Sequence, residues 1–166
     1  DWQITPVSVA HPVKGGVAVI DGELSDADGN TCAIGHIETL RGRHNWQNAA
    51  TAWAVARARG LTPAQIASAF ETYPGLPHRL EAVGQIAGIR YINDSKATNG
   101  EAAARALASF QNIYWIAGGV AKEDGLDPTL PFLDRVRHAF LIGEAAEAFG
   151  TALDGKVPVT MSGDLA

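Results

Sequence analysis

An apolar run, Ile89 to Ile92, leads into Asn93-Asp94-Ser95-Lys96-Ala97-Thr98-Asn99 and then into the alanine-rich stretch Glu101 to Ser109. That order predicts strand, polar turn, helix, and it constrains the fold more than any other part of the chain. A turn that leaves the C-terminal end of a strand and enters a helix N-terminus is where open α/β sheets bind ligands. Within seven positions this turn offers a carboxylate, an ammonium, two hydroxyls and two amides. Asp, Ser, Thr and Asn are also ordinary turn formers and helix caps. Lys96 is what capping explains least, because a cation is disfavoured beside a helix N-terminus unless an anion is there.

The alternation continues downstream. Leu80 to Ile86 and Ile89 to Ile92 read as a hairpin turning at Ala87-Gly88. After helix Glu101 to Ser109 come strand Ile113 to Ala117, a loop through Asp127, a short helix around Pro131 to Arg135, strand Ala139 to Ile142, helix Glu144 to Phe149 and a strand near Val157 to Thr160. Such alternation predicts an α/β fold, Rossmann-like, with a mostly parallel sheet and helices on both faces. Right-handed crossovers would put the loops Asp94 to Asn99, Gly118 to Asp124 and Gly143 on one edge.

Upstream the pattern differs. Ile4 to Val9, Val17 to Ile20 and Thr31 to Ile37 read as antiparallel strands, with turns at Lys14-Gly15-Gly16 and Asp26 to Asn30. Three short strands are too few for a domain and would complete a sheet with others. Asn45 to Arg59 reads as a helix with Gly60 at its C-terminal cap, and Trp46, Ala49, Ala50, Trp53 and Ala54 on one face. A second helix starts at Thr62-Pro63, where Thr62 and Gln65 have capping-box spacing, and runs to about Thr72. Tyr73-Pro74-Gly75-Leu76-Pro77 is a rigid connector, which divides the chain into residues 1–74 and 75–166. Asp1 is no initiator, and the chain ends in what looks like a turn and the start of a helix, so both ends read as cuts in a longer protein.

Composition narrows the function. The chain is 46% hydrophobic and 19% charged, as globular proteins are. A net charge of -5 without a basic run argues against nucleic acid as a partner. No apolar stretch approaches a membrane span, and no signal peptide is visible, so no membrane insertion is expected. The single Cys32 suits a reducing compartment and reads as a packed strand residue. Five scattered His and one Cys give no metal cluster. The P-loop spacing, the Gly-x-Ser-x-Gly elbow and the G-x-G-x-x-G fingerprint are all absent from the chain.

Three further constellations stand out. Gly42-Arg43-His44-Asn45-Trp46-Gln47-Asn48 opens the first helix, with Asn45 and Asn48 on one face; they could hold a heterocycle or an anion, and Asn45 reads equally as a plain N-cap. Leu76-Pro77-His78-Arg79 fixes an arginine that suits either a phosphate or a salt bridge between domains. Gly118-Gly119-Val120-Ala121-Lys122 follows a strand; its glycines allow close approach of a ligand or of backbone, and Lys122 can reach an anion over the same edge as Lys96.

In this order and spacing, Gly42 to Asn48, Gly75 to Arg79, Asn93 to Asn99 and Gly118 to Lys122 resemble the Mur ligases, and within them the branch that adds D-glutamate. Asp94-Ser95-Lys96-Ala97-Thr98-Asn99 is the most specific match; sister ligases and folylpolyglutamate synthase differ after the aspartate. The resemblance implies that residues 1–74 end an ATP-binding α/β central domain and that residues 75–166 begin a Rossmann-like C-terminal one. It implies a cytoplasmic, monomeric enzyme of peptidoglycan synthesis whose partners are ATP, UDP-N-acetylmuramoyl-L-alanine and D-glutamate. In that reaction ATP phosphorylates the alanyl carboxylate and the D-glutamate amine displaces the phosphate. By position, Asn45 and Asn48 match adenine and phosphate contacts, Asp94 the ribose contact and Arg79 a phosphate contact. Lys96, Thr98 and Lys122, with His78, match the D-glutamate site, and Lys96 and Lys122 the charges that stabilise the acyl phosphate. The family's P-loop and Mg²⁺ ligands belong to a part upstream of this chain, so the chain alone is expected to be inactive. A sister ligase with another amino acid, or a binding module that kept the fold and lost the chemistry, are the alternatives.

Overall fold

The computed structural model describes residues 4–123 and 125–164. They form two compact units, Asp1–Pro77 and His78–Ala166. Asp124, Leu165 and Ala166, which belong to the predicted ligand loop and C-terminal turn, lie outside the described residues.

In the first unit, β1 (Val7–Ser8), β2 (Val17–Ile20), β3 (Glu23–Asp26) and β4 (Thr31–Ala33) form one sheet in that order. Three expectations fail here. The first strand shrinks to two residues and runs parallel to β2, pairing Val7 with Val17. Pro6 has no N–H to give a ladder, and the Ser8 hydroxyl accepts from the N–H groups of Ala10 and His11 (3.1 and 3.2 Å), which turns the chain away. The sheet also has a fourth strand. Asp21 and Gly22, with φ of 49° and 84°, make the tight turn that joins β2 to β3, and Asp-Gly is a strong hairpin signal. The predicted strand Thr31 to Ile37 stops at Ala33 because Ile34 and Gly35 both donate to the Gly22 carbonyl (2.8 and 2.9 Å).

Two helices follow, α1 (Arg43–Ala58) and α2 (Pro63–Glu71). Ala49, Ala50 and Trp53 are buried, with Trp46 and Ala54 packed against the same core of Val17, Val19, Leu24, Ile34 and Phe70, as the helical spacing predicts. Gly60 ends α1: its N–H bonds to the Arg57 carbonyl (2.9 Å) and that of Leu61 to Ala56 (3.1 Å), the paired bonds of a Schellman cap. Thr62 and Gln65 form the predicted reciprocal capping box of α2.

Asp26 ties the β3–β4 turn to α1. Its carboxylate accepts from the Trp53 indole N–H (3.0 Å), the Asn30 amide (3.1 and 3.0 Å), and the backbone of Asp28 (3.0 Å) and Asn30 (2.9 Å). Burial pushes this carboxyl up, but the hydrogen bonds outweigh it, and the group sits below its ordinary value of 3.8. A carboxylate more acidic folded than unfolded stabilises the fold above the unfolded value and loses that contribution as pH falls through the folded one. Wild-type stability to urea is therefore expected to fall more steeply than that of Asp26→Asn as pH drops below about 4. Parallel curves would contradict this.

In the second unit, β5 (Glu81–Ile86) and β6 (Ile89–Asn93) form the predicted hairpin, turning at Ala87 and Gly88 with φ of 51° and 82°. Then come α3 (Gly100–Ala108), β7 (Ile113–Gly118), a 3₁₀ helix (Asp127–Arg135), β8 (Val136–Ile142), α4 (Ala146–Leu153) and β9 (Val159–Met161). β7, β8 and β9 make a parallel sheet in sequence order. The segment around Pro131 winds as 3₁₀ because Pro131, inside it, removes a donor an α-helix needs. α4 starts later than expected because Gly143 is left-handed (φ 69°) and the Ala145 N–H is taken by the Gly119 carbonyl (2.9 Å).

The alternation implied two things the described residues do not show. β6 pairs with β5 alone and stays outside the parallel sheet. Helices on both faces were expected, but Leu107 of α3 and Ala146 and Leu153 of α4 join one core with Ala117, Ala139 and Leu141. On the opposite face Tyr114 and Ile116 are 67% and 64% exposed. No helix among the described residues is long and apolar enough to cross a membrane.

Candidate functional site

Among the predicted site residues, Asn45 and Asn48 belong to the first unit. Gly42 is the residue that caps α1, with φ 94° and no side-chain cap, so Asn45 is not the N-cap but lies within the first turn. Its Nδ2 donates to the Arg41 carbonyl (2.9 Å), while Asn48, three residues on, is exposed.

The other predicted residues belong to the second unit and fall into two groups. Thr98 and Asn99, from the β6–α3 loop, line one open cleft with Lys122 and Glu123, from the loop after β7. The two loops thus share one cleft although β6 and β7 do not pair. Asn99 is the N-cap of α3, its Oδ1 accepting from the Ala102 N–H (2.8 Å). Capping thus uses Asn99 and leaves Lys96, Thr98 and Lys122 exposed.

Gly118 explains how the second segment is placed. Its φ is 157°, and an added Cβ would lie 1.9 Å from the Ile142 carbonyl oxygen. That close approach is required by the neighbouring strand: Gly119 donates to Ile142 (3.2 Å). Gly143 packs against Gly119 in turn, where a Cβ would meet the Gly119 nitrogen at 3.2 Å. The Gly-Gly pair is therefore used for backbone packing at the ends of β7 and β8, and Lys122 follows from there.

The second group lies at the start of β5 and the end of β6. Asp94 Oδ1 accepts from the Leu80 N–H (3.0 Å). Burial raises the Asp94 carboxyl above its ordinary value, and the Leu80 hydrogen bond and the Arg79 charge offset that only in part. Arg79 itself is exposed, between two residues with left-handed backbone, His78 (φ 63°) and Leu80 (φ 45°). Non-glycine residues reach that region only when their surroundings hold them there. The holding contacts are visible: Glu81 Oε2 accepts from the His78 N–H (2.8 Å), and the Lys96 N–H donates to the His78 carbonyl (3.1 Å). Lys96 thus joins this group through its backbone and does not line the cleft of Thr98 and Lys122.

Glu81 and Glu123 belong to these groups but carry no role in the sequence motifs. Glu81 follows His78 at a spacing of three, which is the signal that would have flagged it. Among the described residues no group of three or more His, Cys, Asp or Glu could hold a metal ion.

No family model matches the chain. Curated relatives do. The UDP-N-acetylmuramoylalanine–D-glutamate ligase of Paramagnetospirillum magneticum is 50% identical over 158 residues, which cover 95% of this chain and 35% of that enzyme. The enzyme of that name from Rhodospirillum rubrum is 47% identical over 167 residues, covering 98% and 35%. That from Mesorhizobium japonicum is 52% identical over 130 residues, covering 78% and 28%. The chain thus spans about a third of the length of the first two relatives. Two solved structures share its fold. MurF from Acinetobacter baumannii superposes with a TM-score of 0.53 at 24% identity, over 89% of this chain and 34% of that one. The UDP-N-acetylmuramoylalanyl-D-glutamyl-2,6-diaminopimelate–D-alanyl-D-alanyl ligase of the same organism gives 0.55 at 22% identity, with the same coverage of 89% and 34%.

Proposed function

The chain belongs to the Mur ligase family over the third of its relatives' length that it matches, and from that premise we propose that it works within an ATP-dependent ligase of peptidoglycan precursor synthesis. That enzyme joins D-glutamate to UDP-N-acetylmuramoyl-L-alanine, in the cytoplasm and as a monomer. Residues 1–74 close its ATP-binding domain and residues 75–166 belong to its C-terminal, amino-acid-binding domain.

The observation that supports this reading best is the cleft shared by Thr98, Asn99, Lys122 and Glu123. An incoming dicarboxylic amino acid needs a cation and a hydroxyl for its carboxylates, which Lys122 and Thr98 offer. It also carries an amine, which tolerates Glu123 where a plain dicarboxylate would be repelled. Lys96 and His78 lie outside that cleft and are assigned to the same amino acid by their match to the family's motifs. Lys96 and Lys122 also offset negative charge as the acyl phosphate is attacked, where fixed cations act most strongly.

Arg79 and Asp94 suit a nucleotide. An exposed guanidinium matches phosphate oxygens in pairs, and Asp94 has an acceptor for ribose hydroxyls. In the first unit, Asn45 and Asn48 suit adenine and phosphate contacts by their match to the family's motifs. The Mg²⁺ that ATP chemistry requires would be held by ligands in other parts of the enzyme.

The chain holds no P-loop spacing. The 166-residue chain alone is therefore expected to release no phosphate from ATP with D-glutamate and UDP-N-acetylmuramoyl-L-alanine, whereas the full-length protein does. Turnover by the isolated chain would refute the division of labour proposed here.

A further inference from the structure

The Asn93 side chain makes three hydrogen bonds, and their directions bear on a neighbouring imidazole. Its Oδ1 accepts from the Ser95 N–H (3.1 Å). A backbone N–H can only donate, so the amide cannot be turned the other way round. Its Nδ2 therefore faces His78 Nδ1 (2.9 Å) and Glu81 Oε2 (3.3 Å). An amide nitrogen offers protons and accepts none, so His78 Nδ1 is the acceptor and the imidazole proton sits on Nε2. The His78 side chain is 61% exposed, so its Nε2–H is a donor available to a ligand. The same Glu81 oxygen also holds the His78 N–H at 2.8 Å.

We propose that Asn93 and Glu81 are positioning residues: they fasten His78-Arg79-Leu80 to the loop that carries Asp94, so that Arg79 and Asp94 are presented to an anionic nucleotide as one preformed unit. Four further observations converge on this. His78 and Leu80 are both held left-handed. Leu80 N–H is bonded to Asp94, and Lys96 N–H to His78 (3.0 and 3.1 Å). Both ends of the tripeptide are therefore fixed to the one loop, and Arg79 between them is left free of backbone choice. Neither Asn93 nor Glu81 needs to touch a ligand for this. Ordering the tripeptide in advance removes an entropic cost that binding would otherwise meet.

The inference rests on reading Arg79 and Asp94 as nucleotide contacts, and the test separates the two. In the full-length protein, Asn93→Asp keeps the acceptor for Ser95 but replaces the donor facing His78 and Glu81 with a second carboxylate oxygen. It is expected to move a proton onto His78 Nδ1, visible in ¹⁵N imidazole spectra, and to raise KM for ATP about tenfold with little change in kcat. Glu81→Gln, which keeps an acceptor for the His78 N–H, is expected to fall between Asn93→Asp and wild type. If Arg79→Ala raises KM for ATP but Asn93→Asp changes neither the tautomer nor KM, the positioning role is overturned and the nucleotide reading stands. If Arg79→Ala leaves KM for ATP unchanged, the nucleotide reading itself is overturned.

Discussion

Replacing Lys122 by alanine is expected to lower kcat/KM for D-glutamate by about 10²-fold or more in the full-length protein, with KM for ATP nearly unchanged. Lys122 is exposed, and it reaches the cleft from a loop whose path is fixed by Gly118 and Gly119 against β8. A cation so placed has two tasks. Under the proposed function it would pair with a substrate carboxylate and offset charge that grows as the acyl phosphate is attacked. The first task shows in KM for D-glutamate and the second in kcat, so both should change. Lys122→Arg keeps the charge but changes its shape, and should recover part of the loss. A fall of less than threefold in Lys122→Ala, measured by phosphate release at varied D-glutamate, would remove Lys122 from the reaction.

The largest loss of stability is expected from Trp53→Ala. Trp53 is fully buried among the β2, β3 and α2 side chains, beside the Phe70 ring at 6.3 Å between centroids. Truncating a buried aromatic to alanine costs about 3–5 kcal/mol through lost contacts and the cavity left behind. Here the substitution also withdraws the indole donor from Asp26, whose side chain is only 7% exposed. Trp53→Phe separates the two terms. It keeps most of the volume and should lose about 1–2 kcal/mol, largely from the hydrogen bond. Urea unfolding measures both. A cost below about 1 kcal/mol for Trp53→Ala would mean that this core does not hold the first unit together.

Where local chemistry decides structure, the sequence was readable. Thr62 and Gln65 cap each other, Gly60 ends α1, and Ala87-Gly88 turns the hairpin, because each depends on residues a few positions apart. Asp21-Gly22 carried the same kind of signal, and passing over it cost one strand. Pairing between distant segments was less legible. Nothing in Val7 and Ser8 says that they lie parallel to β2, and nothing in Ile89 to Ile92 says that β6 stays out of the parallel sheet.

The site divides along the same line. Thr98 and Lys122 were expected on one edge from the order of strands and helices, and they do line one cleft. Asn45 was open to reading as a cap, a role that Gly42 fills. The network of Glu81, Asn93 and His78 was out of reach, because it depends on two non-glycine residues in left-handed backbone, held by contacts about 15 positions away in sequence.

Under the proposed function, the cleft of Thr98 and Lys122 receives an acidic amino acid in an ATP-dependent ligase. Phosphate release by the full-length protein, with ATP and UDP-N-acetylmuramoyl-L-alanine, tests it most directly when D-glutamate is compared with D-alanine. Release is expected to depend on D-glutamate and to stay near background with D-alanine; equal release with both, or none with D-glutamate, would refute the proposed role of the cleft.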